Sequence, residues 1–239
     1  MNKILSFLVV LATLFFYGCF SCEEFIGLRD AITFSDLVIQ NENLFVVGTE
    51  ELIALDLTQA QLPVESSRVP LEVLPESVAA SNACLFMNTN RGFIPYNILG
   101  SEVGRAIDNL SGCSAIPVAI EGNLLAGCTA IDGRLAIATY DIGLDKNLTL
   151  RQEIPFSNDV QGLALDSEWL FVINSFSGLQ VYDIAGANPE LRHDLDRPMG
   201  SEIVVQQNQL MISGADSIFQ YSYNIMENRI DFLSAFTIN

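Results

Sequence analysis

Histidine occurs once in this chain, at His193, and cations are scarce: 11 Lys and Arg stand against 29 Asp and Glu, a formal net charge of −18. A single His excludes zinc sites built from several imidazoles and removes the usual base beside a Ser or Cys nucleophile. A surface this acidic repels phosphate backbones, so nucleic acid is excluded as a partner. Tryptophan also occurs once, at Trp169, and no Gly-x-Ser-x-Gly elbow, P-loop or dinucleotide fingerprint is present. Charged residues make up 17% and apolar ones 50% of the 239 residues, with aromatic and β-branched side chains spread throughout. That composition suits one folded core and not a disordered acidic tail.

Long hydrophobic runs are lacking, with one exception. Ile4 to Tyr17 follows Lys3 and is interrupted only by Ser6 and Thr13. It is too short to span a bilayer and the right length for the apolar core of an export signal. It ends in Phe16-Tyr17-Gly18-Cys19, which resembles a bacterial lipoprotein box, in which a small residue precedes a Cys that is acylated. Phe16 and Tyr17 depart from the usual Leu and small residue, and Ser21-Cys22 is a second candidate. The expectation is a signal peptide over 1–18, lipidation at Cys19, a tether over 19–32 and a folded domain over 33–239. Such a protein sits on the outer membrane or cell surface, or faces the periplasm, and touches membrane only through its lipid.

A repeat organises the rest. Leu55-Asp56-Leu57, Tyr96-Asn97-Ile98, Tyr140-Asp141-Ile142, Tyr182-Asp183-Ile184 and Tyr223-Asn224-Ile225 recur at spacings of 41, 44, 42 and 41 residues. Each is preceded by an apolar run such as Leu170-Phe171-Val172-Ile173, a polar turn, and another short apolar strand. After it comes a more polar strand such as Glu190 to Leu195. Four short strands in about 41 residues, repeated five times, predict an all-β, five-bladed β-propeller of four-stranded antiparallel blades. The innermost strand is expected to carry a small or β-branched residue where blades converge: Val38, Ala79, Val118, Ala164 and Val204.

Gly178-Leu179-Gln180-Val181-Tyr182-Asp183-Ile184, followed by Pro189, resembles the LVIVD repeat, and Leu52 to Leu57 with Pro63 is similar. The resemblance implies a propeller at or outside the cell envelope. It implies no catalytic motif.

The recurring Asp or Asn reads as a turn former that accepts a hydrogen bond from the backbone two residues on. Function is expected instead at the opposite mouth of the central channel, where the inner strands begin and the second and third strands are joined. Asp36, Glu76 and Glu202 start inner strands there, and Asp132, Arg134, Phe176 and Asp216 lie on the hairpins. Converging carboxylates suit a cation such as calcium or the acid and base of a glycosidase; solvated loop charges are the plain reading. Ala130 to Arg134 reads as an irregular loop and the favoured partner contact, Trp169 as half-buried packing, and His193 as an exposed residue of an outer strand. Cys113 and Cys128 fall on one face and are the pair expected to form a disulfide. No other catalytic or metal-binding set stands out. The leading expectation is a non-catalytic, monomeric envelope lipoprotein that binds a protein or glycan, and the alternative is a carbohydrate-active enzyme, a glycosidase or lyase.

Overall fold

The computed structural model describes residues 34–58, 63–81, 84–89, 92–99, 102–106, 118–131, 134–144, 147–156, 160–174, 178–198 and 200–237. They form five four-stranded antiparallel sheets, each meandering in chain order. Sheet 1 contains β1 (Phe34–Gln40), β2 (Asn43–Gly48), β3 (Glu51–Asp56) and β4 (Val64–Pro70); sheet 2 contains β5 (Pro75–Ser81), β6 (Cys84–Thr89), β7 (Gly92–Leu99) and β8 (Glu102–Ala106). Sheet 3 contains β9 (Ala119–Glu121), β10 (Leu124–Ile131), β11 (Arg134–Ile142) and β12 (Leu148–Pro155). Sheet 4 contains β13 (Val160–Asp166), β14 (Trp169–Asn174), β15 (Gly178–Asp183) and β16 (Glu190–Leu195). Sheet 5 contains β17 (Glu202–Gln206), β18 (Gln209–Ser213), β19 (Ser217–Asn224) and β20 (Arg229–Thr237). Among the described residues no helix is long and apolar enough to cross a membrane.

Turn chemistry explains the first hairpin of most units. Asn41, Gly122, Ser167, Gln207 and Asn208 all take positive φ between β-strands, the geometry that tight two-residue hairpins need. At the other end of each unit the recurring Asp or Asn behaves as expected. Asp56 Oδ1 accepts the Thr58 N–H at 2.7 Å and Asp183 Oδ1 the Ala185 N–H at 3.0 Å. Asn224 Oδ1 reaches one residue further, to the Glu227 N–H at 3.2 Å. The residue after the Asp then donates to the first hairpin: Leu57 N–H to Glu42 O, Ile142 N–H to Asn123 O and Ile184 N–H to Glu168 O. One repeated carboxylate or amide thus locks the third strand's exit beside the first strand's turn. Every sheet also carries an irregularity between its third and fourth strands next to this point.

The sheets pack face to face in chain order. Phe45, Val47, Leu52 and Ala54 of sheet 1 meet Val78, Leu85, Met87 and Ile94 of sheet 2. Phe86 and Phe93 meet Val118 and Leu125 of sheet 3, Ala126 and Ile137 meet Leu163 and Leu165 of sheet 4, and Phe171 meets Tyr221 and Tyr223 of sheet 5. Inner strands adjoin from β1 to β5, β5 to β9, β9 to β13 and β13 to β17. Among the described residues no such packing joins a strand of sheet 5 to sheet 1.

The inner-strand positions need one correction. Val38, Ala79 and Ala164 face the next sheet, as a narrow convergence requires. In sheet 3 that position is Ala119, which packs toward sheet 4, while Val118 packs toward sheet 2. The turn there is Gly122-Asn123 with Glu121 paired to Leu124, so counting back from Leu124 slips by one residue and lands on the other face. In sheet 5 the equivalent Val204 is 53% exposed, because no described sheet lies beyond it. Among the described residues β20 pairs with β19 alone.

Gly178 shows how the motif glycine works. Its φ is +73°, and a Cβ there would lie 2.3 Å from the Leu195 carbonyl oxygen. Gly122 has φ +56° but open space around it. Gly178→Ala is therefore expected to lower stability by about 3 kcal/mol or more, combining strain with a backbone clash. Gly122→Ala should cost only about 1 kcal/mol, the left-handed penalty alone. Urea denaturation of the two variants checks this order.

Candidate functional site

The end of the array where the inner strands begin, expected to be the functional mouth, carries two described carboxylates. Asp36 follows an irregularity at the start of β1. Its Oδ1 accepts the Leu37 N–H at 2.7 Å, and its Oδ2 accepts the Val78 N–H of β5 at 2.8 Å. The side chain thereby ties sheet 1 to sheet 2. Burial raises the Asp36 carboxyl above its ordinary range, and the Val78 and Leu37 donors offset part of the rise.

Glu202 opens β17 at the equivalent end of sheet 5, paired with Ser213. Its side chain reaches water, yet enough protein surrounds the carboxyl for desolvation to raise it, and the charge on Asp36 raises it further. The fold thus brings Asp36 and Glu202 within electrostatic reach. Glu76 occupies the same end of β5 by backbone position; its side chain lies outside those described.

The hairpin residues are more dispersed. Arg134 is exposed and begins β11, opposite Ile131. The pairing of Ala130 with Leu135 and Ile131 with Arg134 corrects the expected irregular loop: this is the tip of a long regular hairpin. The extra length of the unit went into strand and not into loop. Asp216 is exposed in the β18–β19 hairpin, where its Oδ1 accepts the Ser217 hydroxyl at 3.1 Å. Asp132, Phe176, Cys19 and Cys113 lie outside the described residues. Cys128 sits in β10 opposite Ile137, known by its backbone; the Cys113–Cys128 pairing therefore lies outside the described side chains.

Three buried polar residues near this mouth carry no charge and escaped the sequence reading. Asn88 and Thr89 end β6 and Asn174 ends β14, all within 1% exposure, and none is without a partner. The available signal was a polar residue closing an otherwise apolar second strand. Trp169 and His193 also differ from expectation. Trp169 is 4% exposed in the seam between sheets 4 and 5, with its ring centroid 6.0 Å from that of His193, which is half-buried against it.

At the opposite mouth Asp166 ends β13 and accepts the Tyr223 hydroxyl across the seam between sheets 4 and 5. Burial, then the Asp166 bond and charge, and then Glu121 hold the Tyr223 phenol well above its usual range.

Four of the arginines lie elsewhere. Arg68, Arg151, Arg192 and Arg229 each lie on the outermost strand of a sheet and pair locally with carboxylates. Arg192, for example, meets Asp183 at 2.8 Å and Glu190 at 2.6 Å. Four cations are thus paired with carboxylates at the rim, Arg134 and Arg197 are exposed away from it, and the inner-strand ends carry carboxylates at both ends of the array. Among the described residues no three His, Cys, Asp or Glu converge to hold a metal ion.

No family model matches the chain, and no curated protein matches it in sequence. Solved structures do match in shape. A functionally unknown protein of Desulfotomaculum acetoxidans gives a TM-score of 0.66 at 16% identity, over 88% of this chain and 71% of that one. Hsv2 of Kluyveromyces lactis gives 0.62 at 11%, over 89% and 76%. BamB of Moraxella catarrhalis gives 0.55 at 15%, over 87% and 62%. Likeness at such identities shows the fold alone, and that fold is β-propeller-like. Each of these proteins is longer than the part this chain matches.

The Asp36 bridge predicts a graded response. Asp36→Ala leaves the Val78 N–H without its acceptor and should cost about 1–3 kcal/mol in urea denaturation. Asp36→Asn keeps one acceptor and sheds the buried charge, so it should cost less. Glu202 supplies the pH signature. Its folded pKa is raised, so the folded state binds more protons than the unfolded chain between the ordinary carboxylate range and the raised value, and stability falls as pH climbs through that window. Glu202→Gln should flatten the fall and raise the neutral-pH Tm by about 1–2 °C; thermal melts from pH 4 to 7 read it out.

Proposed function

We propose that this chain is a non-catalytic binding module of the cell envelope, a five-bladed propeller exported by its N-terminal signal, anchored by lipid at Cys19 and binding a protein partner at the Asp36–Glu202 mouth. The observation that carries the reading is a partition of charge: four arginines are spent in pairs at the rim, while Asp36 and Glu202 at the inner-strand ends stand outside those pairs and can meet cations of a partner. Likeness to the β-propeller-like BamB and Hsv2 supports a protein as partner in general terms. A glycan is the neighbouring reading and would use the same mouth.

A glycosidase or lyase has less support. It needs two carboxyls free to exchange protons with substrate. Both Asp36 oxygens already accept backbone N–H groups, one of them from the adjacent sheet. Asp36 is better suited to holding sheets together than to moving a proton.

The anchor is tested by metabolic labelling with palmitate. The wild-type protein should take up label and fractionate with membranes, and Cys19→Ala should do neither. Binding is tested by affinity capture from solubilised envelopes. One protein should be retained at 50 mM salt, be released by 500 mM salt as exposed ion pairs are screened, and be lost on Glu202→Lys with Asp216→Lys. Capture that ignores salt and both reversals places the contact away from this mouth.

A further inference from the structure

Sheet 5 packs on sheet 4 with one face and opens the other to solvent. Cross-strand partners share a face, so the outward one can be laid out in rows. The row nearest the Asp36–Glu202 mouth runs Glu202, Ser213, Ile218 and Phe236 from the inner strand to the outermost. The next begins apolar, with Val204 and Met211, and turns polar at Gln220 and Ser234. The side chains themselves reach water. Val204 is 53% and Phe236 59% exposed, and Glu202 is exposed as well. Phe236 and Phe232, both on β20, are the only exposed aromatic side chains among the described residues.

The apolar part of this face is small, bounded and acidic at one corner. Gln220 and Ser234 bound it: Gln220 donates to Gln209 at 3.2 Å and Ser234 to Gln220 at 3.1 Å, so these groups are engaged with one another. Glu202 holds the inner corner, outside the ion pairs of the rim. Protein around it and the charge on Asp36 both disfavour its carboxylate, and a cation placed there relieves both. Size then limits the occupant. The patch spans about 15 Å across four strands and about 7 Å along them, on the order of 200 Å² with the width of its side chains. A stable contact with a second copy needs about 800 Å² a side, and each copy carries −18. An extended segment of about five residues crosses about 15 Å and fits. A glycan fits less well, because the amides that would bind its hydroxyls are already bonded together and Val204 and Met211 offer none.

We propose that the outward face of sheet 5 holds an extended segment of a partner protein, lying across the four strands with a Lys or Arg at Glu202 and apolar side chains over Val204, Ile218 and Phe236. The inference rests on the reading of the Asp36–Glu202 end as a protein-binding mouth and names the kind of partner. Labour is divided along the row. The Phe236 ring is the rigid anchor, Met211 is unbranched and adapts to what lies on it, and Glu202 fixes which end of the segment faces the inner strand.

Phage-displayed random heptapeptides panned on the full chain test it. Enriched sequences should carry a Lys or Arg beside apolar residues. The best of them, as a synthetic peptide, should bind about tenfold or more weakly to a Val204→Thr, Phe236→Thr variant, and likewise to Glu202→Lys. Threonine keeps the strand preference of both exposed positions, and an unchanged thermal melt verifies the fold. No enrichment, enrichment without a cation, or affinity that survives the threonine variant overturns the proposal. So does self-association in sedimentation that the same variant abolishes, which gives the face to a second copy, or glycan-array binding that it abolishes, which gives the face to a sugar. Envelope capture separates this inference from the reading beneath it. Capture lost on Glu202→Lys with Asp216→Lys, yet intact in the threonine variant, keeps the mouth and removes the face; capture unmoved by either removes both.

Discussion

Four of the five sheets are apolar on both faces, and that constraint sets the architecture. One such sheet cannot shield itself, so each stands against the next, with small residues where inner strands converge. Ala79, Ala119 and Ala164 hold that position in the middle of the array and are buried against the following sheet. Hydrogen bonds then fix the stack laterally. Val78 N–H reaches Asp36, Val103 N–H reaches Ser67 Oγ at 2.9 Å, Gln152 donates to the Ile184 carbonyl at 3.2 Å, and Tyr223 donates to Asp166. The ends of the array behave differently: sheet 5 finishes in amides and hydroxyls, while sheet 1 finishes in leucine, isoleucine and valine.

Charge follows from the same geometry. The rim of each sheet is its outermost strand, exposed on two sides and able to carry long cationic side chains beside carboxylates. Such pairs contribute little each, about 0–1 kcal/mol, because water screens them. Their consequence is spatial. They leave the inner-strand ends to Asp36 and Glu202 on one side, where desolvation raises both carboxyls and the charge of Asp36 reaches Glu202, and to Asp166 and the exposed Glu121 on the other, whose charges reach Tyr223.

Much of this was legible in the chain itself. The period of the Asp and Asn residues located all five units, and β16 runs from Glu190 to Leu195, as its polar alternation implied. The Asp56 and Asp183 turns were readable because a carboxylate at a strand end has few other acceptor roles. Less legible was whatever depends on register. Val118 was assigned to the wrong face by one residue, and Ala130–Arg134 was read as loop because a Gly with both charge signs imitates one. The site was harder still. Asp36 was identifiable as a mouth carboxylate, but its bond to Val78 spans 42 residues of sequence and exists only once two sheets meet. Buried Asn88 and Asn174 were hidden for the same reason, since only packing tells a buried polar strand end from a solvated one.

The central claim is that the described sheets pack serially, each against the next, with no described packing of sheet 5 on sheet 1. Thiol alkylation of Ala164→Cys and Val204→Cys, mapped by peptide mass, tests it most directly, because the two positions are equivalent in consecutive sheets. The account predicts that Val204→Cys reacts readily while Ala164→Cys is slower by about a hundredfold or more, as a thiol reached only through opening of a packed seam is. Equal protection at both positions would mean that sheet 5 is covered as sheet 4 is, and would contradict it.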